Sequence, residues 1–304
     1  MKIFLILKGR IGNQLFQYAF AKSVLEEIGL DNKLIIDESE VLDLNWANSL
    51  RDYSLEGVEY VNERSMLKTR EFIIPYIALC IYHRFIYSKD YMTKYRLEKI
   101  FEPILNHFGL IAIENGYLPY KVNKKRNVII YGFFQSEQFF SKYADQIKRE
   151  FDLLKELENS NYPCLDEIKK RNTVCISIKV EHNVDFPMYN VCNKEYWEKA
   201  IDYIVQNVDN PLFFICSDNV DYVKENLIDC SRYDVVCQVK GFPVHLSLAA
   251  MSLCKHFLIG NTTFGWWAQY LSKNEDKIVV APKKWMNIEM PIGIYDGQDK
   301  WHLL

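Results

Sequence analysis

Ile3-Phe4-Leu5-Ile6-Leu7-Lys8-Gly9-Arg10-Ile11-Gly12-Asn13-Gln14-Leu15-Phe16-Gln17-Tyr18-Ala19 sets the fold at the start of the chain. The run 3–7 is apolar and of strand length, and Leu15, Phe16, Ala19, Phe20 and Val24 then recur at helical spacing. Gly9 and Gly12 therefore sit in a turn between a buried strand and a helix. In open α/β sheets such turns lie at the carboxyl edge, where ligands bind. Glycine permits positive φ and close backbone approach, and Arg10 and Asn13 carry donors suited to phosphate or sugar oxygens. Two readings stand for the turn alone: a βα turn whose polar residues face water, or a substrate loop. A dinucleotide fingerprint needs a third glycine, but Gln14 and Leu15 follow instead, so a nicotinamide enzyme is disfavoured although Asp37 follows Leu34-Ile35-Ile36.

Outward from this stretch, a strand is expected at 33–37, a mainly helical region from about 63 to 108, a strand at 127–133 and a helical pattern from there to about 158. Asn159-Ser160-Asn161-Tyr162-Pro163 is punctuation, which places a domain boundary at 158/159. The second half alternates more regularly: strands at 173–180, 212–216, 235–238, 257–260 and 278–281, separated by helices at 194–207, 220–227, 246–254 and 265–271. Such alternation implies parallel strands with helical crossovers. The expected fold class is α/β, with two Rossmann-like domains, 1–158 and 159–304, facing a cleft.

Composition excludes several classes. The 304 residues suit two domains of about 150 residues each. Hydrophobic residues make up 49% and charged residues 25%, which argues against disorder. Net charge is −3 and the pI ≈ 6.1, so no nucleic-acid partner is expected. Eight cysteines occur singly, without a C-x-x-C pair, so neither zinc nor a redox dithiol is indicated and a reducing compartment fits. The apolar run 3–7 between Lys2 and Lys8 is shorter than a signal-peptide core. The apolar stretch 72–82 contains Pro75 and is too short to span a bilayer. Basic and aromatic residues follow it, among them Arg84, Phe85, Lys89, Tyr91, Lys94 and Arg96. Two core helices with solvated faces, or peripheral membrane contact through 72–99, both accommodate that pattern. A cytoplasmic enzyme, peripheral at the inner face of the membrane in the second case, is the expectation.

Three strand ends in the second half carry polar clusters. Ser217-Asp218-Asn219 follows an apolar strand and opens a helix, where it can cap the helix or meet a ligand. Gly260-Asn261-Thr262-Thr263-Phe264-Gly265-Trp266-Trp267 has hydroxyls and amides suited to a diphosphate, or forms a capped helix with two packed tryptophans. Ser177-Ile178-Lys179-Val180-Glu181-His182-Asn183-Val184-Asp185 gathers Lys179, Glu181, His182 and Asp185 at one strand end. His182 is able to act as a base near neutral pH; a merely solvated loop histidine is the other reading.

Together, Gly9 to Ala19, Tyr131-Gly132-Phe133-Phe134-Gln135-Ser136-Glu137, Phe213-Phe214-Ile215-Cys216-Ser217-Asp218 and Met251 to Leu271 resemble glycosyltransferase family 11, the α-1,2-fucosyltransferases of bacterial polysaccharide and O-antigen pathways. The resemblance implies a GT-B enzyme, without metal or other cofactor, that moves fucose from GDP-fucose with inversion to the 2-hydroxyl of a terminal galactose or similar sugar. The acceptor would be a glycan, lipid-linked in such pathways. The C-terminal domain would hold the nucleotide sugar and the N-terminal domain mainly the acceptor. On matching positions, Asp218 lies near the guanosine, and Asn261, Thr262, Thr263 and Phe264 line the diphosphate pocket. Gly9, Arg10, Gly12, Asn13 and Gln14 face the reaction centre, with Asn13 among the candidate catalytic residues.

The departing diphosphate gains negative charge, which cations or aimed amides must stabilise. The family's His-x-Arg-Arg-x-Asp reads Ser177-Ile178-Lys179-Val180-Glu181-His182 here, so Lys179 inherits the diphosphate and Ser177 the histidine's place. Lysine keeps the charge and loses the planar fork. The serine after the family's phenylalanine is Gly265. Three readings follow: GDP-fucose is used with Lys179 and main-chain amides, another nucleotide sugar is used, or binding persists without transfer. His182 and Asp185 are the candidates for deprotonating the acceptor.

Overall fold

The apolar run at the start of the chain forms β1 (Lys2–Ile6), followed by α1 (Ile11–Ile28). The structure, a computed structural model, describes residues 1–29, 32–181, 183 and 185–304. In the first unit β2 (Lys33–Asp37), α2 (Ser39–Asp43), β3 (Val58–Val61), α3 (Ile73–Tyr82), α4 (Tyr91–His107), β4 (Leu110–Ile113), β5 (Val128–Gly132) and α5 (Ala144–Glu150) follow. Its sheet has the order β3-β2-β1-β5-β4, every neighbouring pair parallel. Phe4, Ile6, Ile35, Leu110, Ala112, Ile129 and Tyr131 cover one face at period two and pack with Leu79, Tyr82 and Leu105 of α3 and α4. These two helices therefore lie on the same side of the sheet.

The second unit contains α6 (Leu154–Asn159), α7 (Leu165–Lys170), β6 (Asn172–Ile178), α8 (Lys194–Asn207), β7 (Pro211–Ser217), α9 (Val220–Asn226), β8 (Asp234–Cys237), α10 (Val244–Ser252), β9 (His256–Ile259), α11 (Thr263–Leu271), β10 (Val279–Ala281) and β11 (His302–Leu303). Its six parallel strands run β8-β7-β6-β9-β10-β11, the doubly wound 3-2-1-4-5-6 order, whose direction of winding reverses between β6 and β9. The α/β expectation with two Rossmann-like domains is met in each unit.

The units are 1–150 with 289–297, and 151–288 with 298–304. The sequence reading divides the chain at 158/159; here it divides at 150/151, and one later segment returns to the first unit. Phe151 stacks edge-on against Trp267 and Asp152 pairs with Lys273, both partners in the second unit. Ser136 donates to the Asp296 carboxylate at 2.6 Å, tying the returning segment to the first. The helical pattern expected to run to about 158 is two short 3-10 turns followed by α5 and α6. Strands β3, β4 and β11 are additional to those read from the sequence.

Candidate functional site

The turn after β1 is built by the helix that follows it. Gly9 has φ +71°, and a Cβ there would stand 2.6 Å from the Asn13 Nδ2, so both the backbone and the space require glycine. Gln14, fully buried, donates to the Gly9 and Ala47 carbonyls and accepts from the Ser49 amide. Gln17 brackets Lys8 by accepting from its amide and donating to its carbonyl. The two glutamines are thus consumed in shaping the loop. Asn13, half-buried, accepts from the Gln135 side chain at 2.8 Å, and the Arg10 guanidinium lies 5.8 Å from the Trp46 ring. Gly12 is buried in the first turn of α1.

Beside this loop lies a group the sequence reading did not single out. The Lys8 ammonium is buried, donates to Glu114 at 2.7 Å and to the Tyr131 hydroxyl at 3.1 Å, and lies 4.3 Å from the Tyr131 ring centre. Nearby Glu98 accepts from the Tyr82 hydroxyl at 2.6 Å, and burial pushes its carboxyl up to about 8. Lys8 directly precedes the glycine turn, but its partner arrives from the end of β4, a strand the sequence concealed.

In the second unit a pocket of ≈ 210 Å³ opens at the point where the winding reverses, lined by Ile178 and Lys179 at the end of β6 and by Gly260 and Asn261 just after β9. Lys194 adds a second cation, and Asn183, Asn190 and Asn193 add amides; no carboxylate lines it among the described residues. Tyr189, Trp197 and Tyr222 supply aromatic wall. Cys192 also lines it; burial pushes its thiol up to about 12, so it stays protonated and does not act as a nucleophile.

Several residues expected at the ligand make hydrogen bonds that hold the loops around the pocket. The Asp218 carboxylate accepts from the amides of Val180 at 2.7 Å and Glu181 at 3.1 Å, fixing the segment that carries Lys179. Asn219, not Asp218, caps α9 by accepting from the Tyr222 amide. Asn261 donates to the carbonyls of Tyr189 and Trp285 and accepts from Asn183, tying three segments together at the pocket. Thr262 caps α11 through the Phe264 amide, with Thr263 and Phe264 in its first turn. Ser177 does not line the pocket. It is buried, and its Cβ lies 2.8 Å from where a Cβ at Gly265 would stand, so it faces the first turn of α11.

Asp185 is exposed on the loop after β6, and His182 lies outside the described residues. Sequence reasoning missed Lys194 and the aromatic wall. Lys194 reads as the first residue of a helix, and only the topology brings that helix start to the end of β6. No group of three or more His, Cys, Asp or Glu side chains among the described residues is arranged to hold a metal ion. Among the described residues no helix is long and apolar enough to cross a membrane.

The family model described as glycosyl transferase family 11 matches residues 2–296. The chain is similar to the O-antigen biosynthesis glycosyltransferase WbnK of Escherichia coli, 26% identical over 300 residues that cover 92% of this chain and 93% of that protein. It is similar as well to an alpha-1,2-colitosyltransferase of Escherichia coli, 24% identical over 307 residues covering 97% and 96%. Among solved structures, the NodZ alpha-1,6-fucosyltransferase soaked with GDP-fucose superposes with a TM-score of 0.51 over 89% of this chain and 92% of that one. Its 11% identity makes this a likeness of fold.

Proposed function

We propose a donor and an acceptor from one premise: the chain belongs to glycosyl transferase family 11 and is a glycosyltransferase. The donor is GDP-fucose, and the acceptor is the 2-hydroxyl of a terminal galactose or similar sugar in an O-antigen or related surface-polysaccharide precursor, lipid-linked at the inner face of the membrane. Transfer proceeds with inversion and without a metal or other cofactor. The observation that carries this reading is the pocket at the reversal of the second sheet, lined by Lys179, Lys194, Asn183, Asn190 and Asn193, with no carboxylate among the described residues.

Such a lining suits a diphosphate. As the acceptor oxygen bonds to the anomeric carbon, the bond from that carbon to the phosphate oxygen breaks and GDP leaves with the electron pair. The two ammonium groups meet the charge that develops there. Asp218 serves this step from a distance by fixing the backbone on either side of Val180, so that Lys179 is already placed when the donor binds. The volume, ≈ 210 Å³, suits the diphosphate rather than a whole nucleotide sugar. The acceptor proton passes to a base on the loop after β6, for which Asp185 and His182 are the candidates, or to water.

A second reading changes only the sugar. A lysine at 179 and a valine at 180 stand where the family pattern has arginines, and a relative that aligns along 97% of this chain is named for colitose. Calorimetric titration with GDP, UDP, CMP and dTDP, followed by turnover of GDP-fucose on galactose-terminated acceptors, tests both. GDP selectivity with fucose transfer is expected, and Lys179→Ala should lower kcat by about 10²-fold. GDP binding without fucose transfer favours the second reading. Selectivity for another nucleotide overturns the donor assignment, and binding of none of the four leaves the pocket without its assigned ligand.

A further inference from the structure

Helix α3 is apolar around its whole circumference. Pro75, Ala78, Leu79 and Tyr82 are buried on one side, yet Ile73, Ile74, Ile77 and Ile81 project from the other at spacings of three and four residues. Phe85, on the π-helical turn 83–87, extends that stripe. On α4, Ile100, Phe101, Ile104 and Phe108 at its end form a second exposed stripe, flanking buried Leu105. These nine side chains are between 36% and 65% exposed. They account for nine of the fifteen large apolar side chains exposed among the described residues, so the patch is a concentration and not scattered surface apolarity. Both helices bury side chains against the same side of the first sheet, and both stripes are exposed.

A helix apolar on all sides needs something to cover it. With ten residues α3 cannot span a bilayer. The charge around the stripes identifies the cover. Segment 72–99 holds five Lys or Arg against two Asp or Glu in a chain of net charge −3; with Lys94 and Glu98 buried, four cations face one acid, Asp90, outside the core. Exposed Arg84, Lys89, Arg96 and Lys99 lie next to the apolar stripes. A second copy of this chain would set these cations against their own kind, whereas an anionic lipid headgroup layer neutralises them while the isoleucines enter the acyl boundary.

We propose that the outer faces of α3, the 83–87 turn and α4 form a docking surface that lies flat on an anionic phospholipid bilayer. The inference rests on the proposed function only in naming the membrane as the place of work; the binding involves neither donor nor acceptor, so each fails separately. The test is co-sedimentation of the full chain with vesicles of phosphatidylcholine alone or mixed with phosphatidylglycerol. Pelleting with the mixed vesicles is expected, at least about tenfold weaker on phosphatidylcholine or in high salt. Ile77→Ser with Ile81→Ser should abolish it while leaving the melting temperature and the nucleotide response unchanged. Arg84→Glu with Lys89→Glu, on the exposed turn, should weaken it by about tenfold without touching the apolar stripe. The proposal is overturned if the chain stays in the supernatant, if the serine pair binds as the parent does, or if sedimentation velocity reveals a dimer that the serine pair dissolves.

Discussion

Glu98 on α4 is almost wholly buried, accepts from the Tyr82 hydroxyl, and has Glu114, Lys94 and the Glu114 amide around it. Its carboxyl is raised by burial to about 8 from an ordinary value of 4.5, so the folded chain holds a proton there that the unfolded chain has released. Between those two values the native state binds more protons. Stability should therefore decline as pH rises through this window, by about 1–3 kcal/mol in all. Glu98→Gln keeps an oxygen for Tyr82 and removes the titration. Its melting temperature should vary less between pH 5 and pH 9 than the parent's and exceed it at the alkaline end, as a thermal-melt series would show. A slope that survives the substitution assigns the titration to another group. Residues of this kind mark the limit of reading from sequence. Gly9 was legible because a strand-to-helix turn forces φ locally. The role of Asp218 was not, because its partners are amides 37 and 38 positions away that only the parallel pairing of β6 with β7 brings within reach.

Helix α11 comes close to β6 where Gly265 faces Ser177. A Cβ at 265 would lie 2.8 Å from the Ser177 Cβ and Oγ and 3.1 Å from the Ile259 Cγ2, and the Ser177 Cβ is fixed on a central strand. Gly265→Ala should thus cost about 1–3 kcal/mol through overpacking, read as a shift in denaturant midpoint. Ser177→Gly in the same chain should recover most of the loss, a coupling that a double-mutant cycle measures directly. Independent, additive effects would show that the two positions do not press on each other. The two departures from the family pattern, serine for histidine at 177 and glycine for serine at 265, are therefore neighbours across one contact. Elements with their own apolar run between polar punctuation, such as β1, β6, β7 and β9, were legible. β4 was hidden because Leu110–Ile113 follows only two residues after α4 and continues its apolar character, and β3 because its three half-buried residues and exposed Glu59 carry little pattern. The helix expected to reach 158 breaks because Phe139 and Phe140 pack on Phe20 and Phe16 in the first unit, whereas Phe151 packs on Trp267 in the second.

At the scale of the molecule, each unit has its own parallel sheet and its own core, and the proposed donor pocket draws on the second unit alone. Hydrogen exchange with GDP present should accordingly show protection concentrated at 178–183, 189–194, 222–227 and 260–261, with the amides of β1 and β2 little changed. Protection confined to the first unit would remove the donor from the pocket assigned to it. The two-domain architecture was legible from alternation alone, while the return of 289–297 was not, since nothing local in Glu289 to Gly297 shows which core it joins. That return has a consequence for how such enzymes are recombined. A chimera spliced once near 150, joining the front of this chain to the back of a relative, would seat a foreign 289–297 against Ser136 and Glu137, where Asp296 now accepts the serine hydroxyl and a side chain at Gly293 would meet Ser136 at 2.8 Å. Exchange of whole modules within the family therefore calls for three crossovers rather than one, with the nine-residue return travelling alongside the front half to which it is fitted.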